Sequence, residues 1–249
     1  MLHSERWGKG DPLVLIHGFT QTARSWGPFG RRLGYAHNVV ALDAPGHGRS
    51  SEVSADLWTG AQLIGATGGR AIYLGYSMGG RFALHLALAR PDLVTALILI
   101  SASAGIDDGA ERAARCRDDD ALAERIERDG VEAFVRWWLG RPMWSTLPAG
   151  AASVSERLTN TAAGLAASLR LAGAGHAEPP LWSRLGELTM PVLVVAGELD
   201  GAYAQRAARL GAAIPGATVA VVPGAGHACH LERPEAVGAV VGNWLARPG

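Results

Sequence analysis

Lysine is almost missing from this 249-residue chain: Lys9 stands alone, and the remaining basic side chains are arginines. Basic and acidic residues cancel at 23 each, so no global field draws the chain toward nucleic acid or an anionic membrane. The arginine bias, together with abundant alanine and glycine, reads as the imprint of a GC-rich genome and is not by itself a functional signal. Cysteine is scarce too. Cys116 and Cys229 form neither a C-x-x-C pair nor a disulfide framework, which fits a reducing cytosol. The N-terminus lacks the apolar stretch of a signal peptide, and no apolar run is long enough to span a bilayer. A soluble, cytoplasmic protein without membrane insertion is therefore expected. H-E-x-x-H and acidic calcium loops are absent, and the glycine clusters lack the setting of a nucleotide-binding loop. Neither a metal nor another cofactor is expected.

What is present is a rhythm of short apolar runs. Leu13–Ile16, Asn38–Leu42, Ala71–Leu74, Val94–Ile100, Val192–Ala196 and Thr218–Val222 read as strands, the most continuous of them as strands buried on both faces. Helical stretches separate them, near Ser25–Leu33, Ala55–Ala66, Arg81–Ala89 and Ala202–Ala213, with a closing helix to about Leu245. Alternation of this kind predicts an α/β fold with a mostly parallel sheet and helices on both faces. From about Gly105 to Trp182 the rhythm stops, leaving helical segments at Asp119–Asp129 and Val131–Leu139 broken by prolines. An insertion at the C-terminal edge of such a sheet would cover the crevice where α/β proteins bind ligands, so 105–182 is expected to be a helical cap within one domain.

Gly75-Tyr76-Ser77-Met78-Gly79 lies between a predicted strand and a predicted helix. In that setting G-x-S-x-G is a nucleophile elbow, whose serine is lifted clear of the sheet by a strained turn. Serine needs a base, and the base needs an orienting acid. Asp200 and His227 each follow a strand in the Ser…Asp…His chain order, and both fall at the edge that carries Ser77. Glu198 is an alternative acid but falls before its loop is complete. Among the other histidines, His85 lies in a helix, His230 begins the closing helix, and His3, His37 and His176 have no motif. Phe19, in the His17-Gly18-Phe19-Thr20 loop, and Met78 would supply the two oxyanion-hole amides. His17, Asp43 and His47 are read as residues that hold loop conformation.

His17 to Thr20, the Asp43 to Ser50 turn, the elbow, Asp200 and His227 together resemble the α/β-hydrolase superfamily over essentially the whole chain. A narrower resemblance comes from the elbow continued through Gly80-Arg81 and combined with the cap. It is similar to the 2-succinyl-6-hydroxy-2,4-cyclohexadiene-1-carboxylate synthases of menaquinone biosynthesis, lyases that remove pyruvate from a multiply charged carboxylate. The resemblance implies substrate-binding roles for Tyr76, Arg81, Arg115, Trp138 and Arg157, a small polycarboxylate as partner, and proton abstraction by the triad. Where members often carry a Lys-Phe pair soon after the triad aspartate, this chain has Gly201-Ala202-Tyr203.

Physics adds that Arg81, four residues after Ser77, returns to the same face of a helix whose side chains lean toward its N-terminus. Its planar fork suits a carboxylate better than an ammonium does. Plainer readings stand beside these: Arg115 and Arg157 as solvated cap residues, Trp138 as cap core. A serine hydrolase for esters or for carbon–carbon bonds would use the same triad, and a non-catalytic receptor would use the same fold. Oligomeric state is open.

Overall fold

The computed structural model describes residues 1–177 and 179–246. In chain order its elements are β1 (Ser4–Trp7), β2 (Asp11–Ile16), α1 (Gly27–Leu33), β3 (His37–Leu42), α2 (Leu57–Gly68), β4 (Ala71–Tyr76), α3 (Met78–Ala89) and β5 (Val94–Ile100). A mainly helical stretch follows, with α4 (Gly109–Leu139), α5 (Val154–Arg157) and α6 (Ala162–Ala172). The chain closes with β6 (Val192–Gly197), α7 (Gly201–Ala213), β7 (Thr218–Val222), α8 (Cys229–Glu232) and α9 (Pro234–Leu245).

Seven strands form one sheet in the order β1-β3-β2-β4-β5-β6-β7. All pairings are parallel except β1 with β3, where Ser4 lies opposite Leu42 and Trp7 opposite Val39. The continuous apolar runs are explained by two cores. Val14, Ile16, Leu97, Leu99, Val192 and Val194 face one side, against Ile64, Phe82 and Leu210 from α2, α3 and α7. Leu13, Leu15, Ile98, Ile100, Leu193 and Val195 face the other, against Phe29 and Val241 from α1 and α9. Strands covered on both faces have no polar side to alternate with. β7 is an edge strand and does alternate, leaving Val219 and Val221 partly exposed. β1, the opposite edge, has no apolar run at all in Ser-Glu-Arg-Trp, which is why the sequence pattern does not announce it.

Helix α4 begins ten residues earlier than the periodicity predicts (109 against 119), because the Asp108 carboxylate caps it by accepting the Glu111 amide at 2.8 Å. The two expected helical segments meet at Gly130, whose φ of 78° and ψ of 166° break the helix without ending it. α4 packs on α6, and Asp119 ties the two ends together: its buried carboxylate accepts from Gly175 N at 2.9 Å and from Arg115 Nε at 2.8 Å. Phe134 and Trp138 of α4 and Leu165 of α6 join the core above the sheet edge. No helix among the described residues is long and apolar enough to cross a membrane.

Candidate active site

Ser77 sits between β4 and α3 with φ 52° and ψ −110°, a region that non-glycine residues rarely occupy. The glycines around it are needed for closeness. A Cβ on Gly79 would lie 1.9 Å from the Ile16 carbonyl oxygen, and one on Gly75 would lie 2.3 Å from that of Gly79. Without side chains at these positions the helix can start directly against the sheet, and Ser77 Oγ points outward.

His227 Nε2 is 3.1 Å from Ser77 Oγ, and its Nδ1 is 2.7 Å from Asp200 Oδ2. Both partners come from loops after β6 and β7, so three parallel strands deliver the three residues to one edge. Asp200 also caps α7, accepting from Tyr203 N at 3.4 Å. Glu198, the alternative acid, accepts from Gly224 N at 2.9 Å and braces the neighbouring turn instead. A residue that sequence reasoning missed holds the histidine loop: the buried carboxylate of Glu232 accepts from Gly226 N at 2.6 Å and Ala228 N at 3.0 Å, on either side of His227. Its only signal in the sequence is an acid five residues after the histidine.

The His17–Thr20 loop is built on two buried neutral imidazoles. His17 Nε2 accepts from Ala44 N at 3.0 Å and its Nδ1–H donates to Gly18 O at 2.8 Å. His47 Nε2 accepts from Thr20 N at 3.3 Å and its Nδ1–H donates to Pro45 O at 3.0 Å. Burial lowers their pKa values to about 4 and about 3. Asp43 accepts from Ala23 N at 2.7 Å and Arg49 N at 2.9 Å. His17, Asp43 and His47 thus hold loop conformation, as their place in glycine-rich turns suggests. Met78 opens α3, so its N–H has no intrahelical acceptor, and the bonds that fix the Phe19–Thr20 turn leave the Phe19 N–H unused.

Above Ser77 lies a cavity of about 530 Å³. Ser77, His227, Phe19 and Met78 line it, along with Trp137, Trp138 and Tyr203. Among the described residues, four arginines, Arg81, Arg115, Arg125 and Arg141, line it with one carboxylate, that of Asp118. Arg81 Nη2 donates to Ala172 O at 2.9 Å, and burial draws its guanidinium below the usual arginine range. For Arg115 burial also opposes the charge, but the Asp119 carboxylate outweighs it and holds the pKa above that range. Trp138 packs edge-on to Phe19 at 5.6 Å and parallel to Phe134 at 5.9 Å. Tyr203, where the Lys-Phe pair would be, presents its ring to His227 at 4.5 Å.

Two residues that the resemblance assigns to substrate lie behind this wall rather than on it. Arg157 is fully buried: its Nε donates to Ala152 O at 2.8 Å, and its Nη1 donates to Phe19 O at 3.4 Å and to the Thr20 hydroxyl. Burial lowers its pKa to about 10. The cause is the docking of α5 onto the His17–Thr20 loop, which Asn160 completes by donating to Thr20 O at 2.8 Å. Tyr76 ends β4 on the lower core face, with its ring 4.4 Å from that of buried His230 and beneath Gly18. Arg125, Arg141 and Asp118 were not singled out by sequence, because arginine is too common in this chain for a lone one to stand out.

A serine poised by a histidine–aspartate pair at the C-terminal edge of a doubly wound sheet defines an enzyme of the serine-triad α/β class. Residues 13–240 match the Alpha/beta hydrolase family, and the chain belongs to it. A 2-succinyl-6-hydroxy-2,4-cyclohexadiene-1-carboxylate synthase from Serratia proteamaculans (strain 568) is 30% identical over 248 residues, covering 95% of this chain and 94% of the relative. A Bacillus subtilis (strain 168) relative, given the same name provisionally, is 34% identical over 254 residues, with coverage of 94% and 90%. The solved structure of MenH from S. aureus superposes with a TM-score of 0.89 at 29% identity, covering 98% of each chain. A thermophilic esterase from Thermogutta terrifontis, solved with malate bound, gives 0.80 at 25% identity, covering 98% of this chain and 92% of its own.

Proposed function

We propose that this enzyme is a carbon–oxygen lyase that eliminates pyruvate from 2-succinyl-5-enolpyruvyl-6-hydroxy-3-cyclohexene-1-carboxylate, giving 2-succinyl-6-hydroxy-2,4-cyclohexadiene-1-carboxylate for menaquinone biosynthesis. The observation that carries this reading is a triad opening into a cavity lined by four arginines and one carboxylate, in a chain whose relatives bear that name. Asp200 orients His227 and stabilises its charged form; His227 accepts the Ser77 hydroxyl proton; and Ser77 removes the ring proton beside the succinyl carbonyl. The electron pair passes through the ring double bond and breaks the bond from the ring to the enolpyruvyl oxygen. The departing enolate takes a proton and leaves as pyruvate, and the ring keeps two conjugated double bonds.

Charge gathers on the succinyl carbonyl oxygen as the proton leaves, and the Phe19 and Met78 amides are the donors aimed at it. No acyl-enzyme forms. Arg81 and Arg115 hold substrate carboxylates, and Trp138 packs against the ring. Arg157 acts from behind, stiffening the Phe19–Thr20 turn, and Tyr76 supports the floor under His227. The cytoplasm is the proposed location.

The test is a product assay on purified protein supplied with the enolpyruvyl substrate, following pyruvate and the diene, with Ser77→Ala and Arg81→Ala alongside. Rapid pyruvate release that both substitutions abolish or severely slow is the expected result. A second reading, ester hydrolysis, is favoured by the same triad geometry and by the likeness to a solved esterase. Ester turnover with no pyruvate release above background would hand the function to it.

A further inference from the structure

Of the four arginines on the cavity wall, three have a partner within the protein. Arg81 donates to Ala172 O at 2.9 Å, Arg115 to Asp119 at 2.8 Å, and Arg125 lies 3.2 Å from Asp129. Arg141 is different. Among the described residues no carboxylate lies within ion-pair distance of its exposed guanidinium and no acceptor takes its donors. It is nonetheless placed: its guanidinium carbon lies 5.3 Å from the Trp137 ring and 5.2 Å from the Trp138 ring. Trp137 is itself covered by Arg125 at 3.9 Å, so the shelf on which Arg141 rests is pinned to α4.

A guanidinium stacked on an aromatic face keeps its edge donors free, and those donors form the fork that matches a carboxylate. The shelf lowers the entropy lost when that fork engages. This inference rests on the lyase reading, whose substrate carries three carboxylates: one on the ring, one on the enolpyruvyl group and one at the end of the succinyl chain. Arg81 is buried in the cavity wall one helical turn from Ser77, Arg115 lines the same wall, and Arg157, the third arginine that the resemblance implies, is buried behind Phe19. The third carboxylate needs a further cation on the wall itself. We propose that Arg141, on the Trp137–Trp138 shelf, binds the succinyl-chain carboxylate at the cavity mouth and makes this enzyme selective for substrates bearing that remote charge.

The experiment measures binding apart from turnover. Substrate is titrated calorimetrically into Ser77→Ala and into Ser77→Ala carrying Arg141→Gln, Arg141→Lys or Arg31→Gln, while wild type is assayed for pyruvate release. Arg31, on α1 outside the cavity, controls for the loss of one positive charge. Arg141→Gln is expected to weaken binding about tenfold to a hundredfold, the range for one charge-assisted bond. Arg141→Lys should fall between parent and Arg141→Gln, and Arg31→Gln should bind like the parent. A substrate amidated at the succinyl carboxylate should bind Ser77→Ala weakly and lose nothing further with Arg141→Gln. If wild type releases pyruvate but Arg141→Gln binds as tightly as its parent, the clamp is overturned and the lyase stands. If wild type releases none, the lyase reading falls and takes this assignment with it.

Discussion

Ser77 occupies a backbone conformation that favours glycine, so, given its proposed catalytic role, removing both the hydroxyl and the Cβ should relieve strain as it abolishes activity. The comparison that isolates the strain is Ser77→Gly against Ser77→Ala. Both lose the 3.1 Å contact with His227, so that term cancels. Alanine keeps a Cβ at φ 52°, ψ −110°, where a non-glycine residue costs about 1–3 kcal/mol. Glycine escapes that cost but gives back about 0.5–1 kcal/mol through the greater freedom of its unfolded chain. The methyl that alanine retains is only half-buried at this position, so its transfer term stays below the ~0.8 kcal/mol of a fully buried carbon. Taken at the middle of those ranges, Ser77→Gly should be about 1 kcal/mol more stable than Ser77→Ala. At about 2–4 °C per kcal/mol for a chain of this size, that is a Tm higher by a few degrees. Urea unfolding of the two variants side by side measures it. A glycine variant no more stable than the alanine variant would refute the claim that the elbow stores strain.

Asp200→Asn keeps the shape of the site but presents an amide to His227 Nδ1; kcat should fall by about a thousandfold or more with the Tm little changed, as steady-state kinetics and calorimetry would reveal. In Glu232→Gln only one side-chain oxygen remains to accept, so one of the amides flanking His227 faces an NH₂ group. Losing one hydrogen bond to a charged acceptor should cost about 2 kcal/mol in urea unfolding and reduce turnover, and unchanged values would show that the loop holds itself. His17, His47 and His230 are buried, and burial lowers their pKa values to about 4, 3 and 3, whereas in the unfolded chain each takes a proton near 6.5. The unfolded state then binds more protons below that value, so stability is full above pH 6.5 and falls as the pH drops toward 3–4. At pH 5.5 the loss should be about 1 kcal/mol for each histidine, read from urea midpoints at pH 7.5 and 5.5; a midpoint that does not move would place these rings in contact with water.

Much of this molecule is decided locally and so was legible in the chain. A strand buried on both faces must be apolar throughout, and a serine lifted from a strand-to-helix turn needs glycines on either side. Apolar runs marked six of the seven strands, the edge strand β7 among them, the glycines marked the elbow, and chain order singled out Asp200 and His227. β1 escaped because its Ser-Glu-Arg-Trp, at the sheet edge, carries no apolar run. Whether an arginine faces the cavity, or lies behind its wall, is another matter. Arg81 could be placed because it is one helical turn from Ser77 on the same helix. Arg125 lies on α4 and Arg141 just beyond it, and only the packing of this helical stretch brings them to the cavity. The same packing carries Arg157 into the His17–Thr20 loop, where burial and protein acceptors occupy it. Sequence could thus place Ser77, Asp200 and His227, which the ends of β4, β6 and β7 bring to one edge. Which charges face the substrate was left to tertiary structure, because the direction of a long, flexible side chain depends on what packs against it.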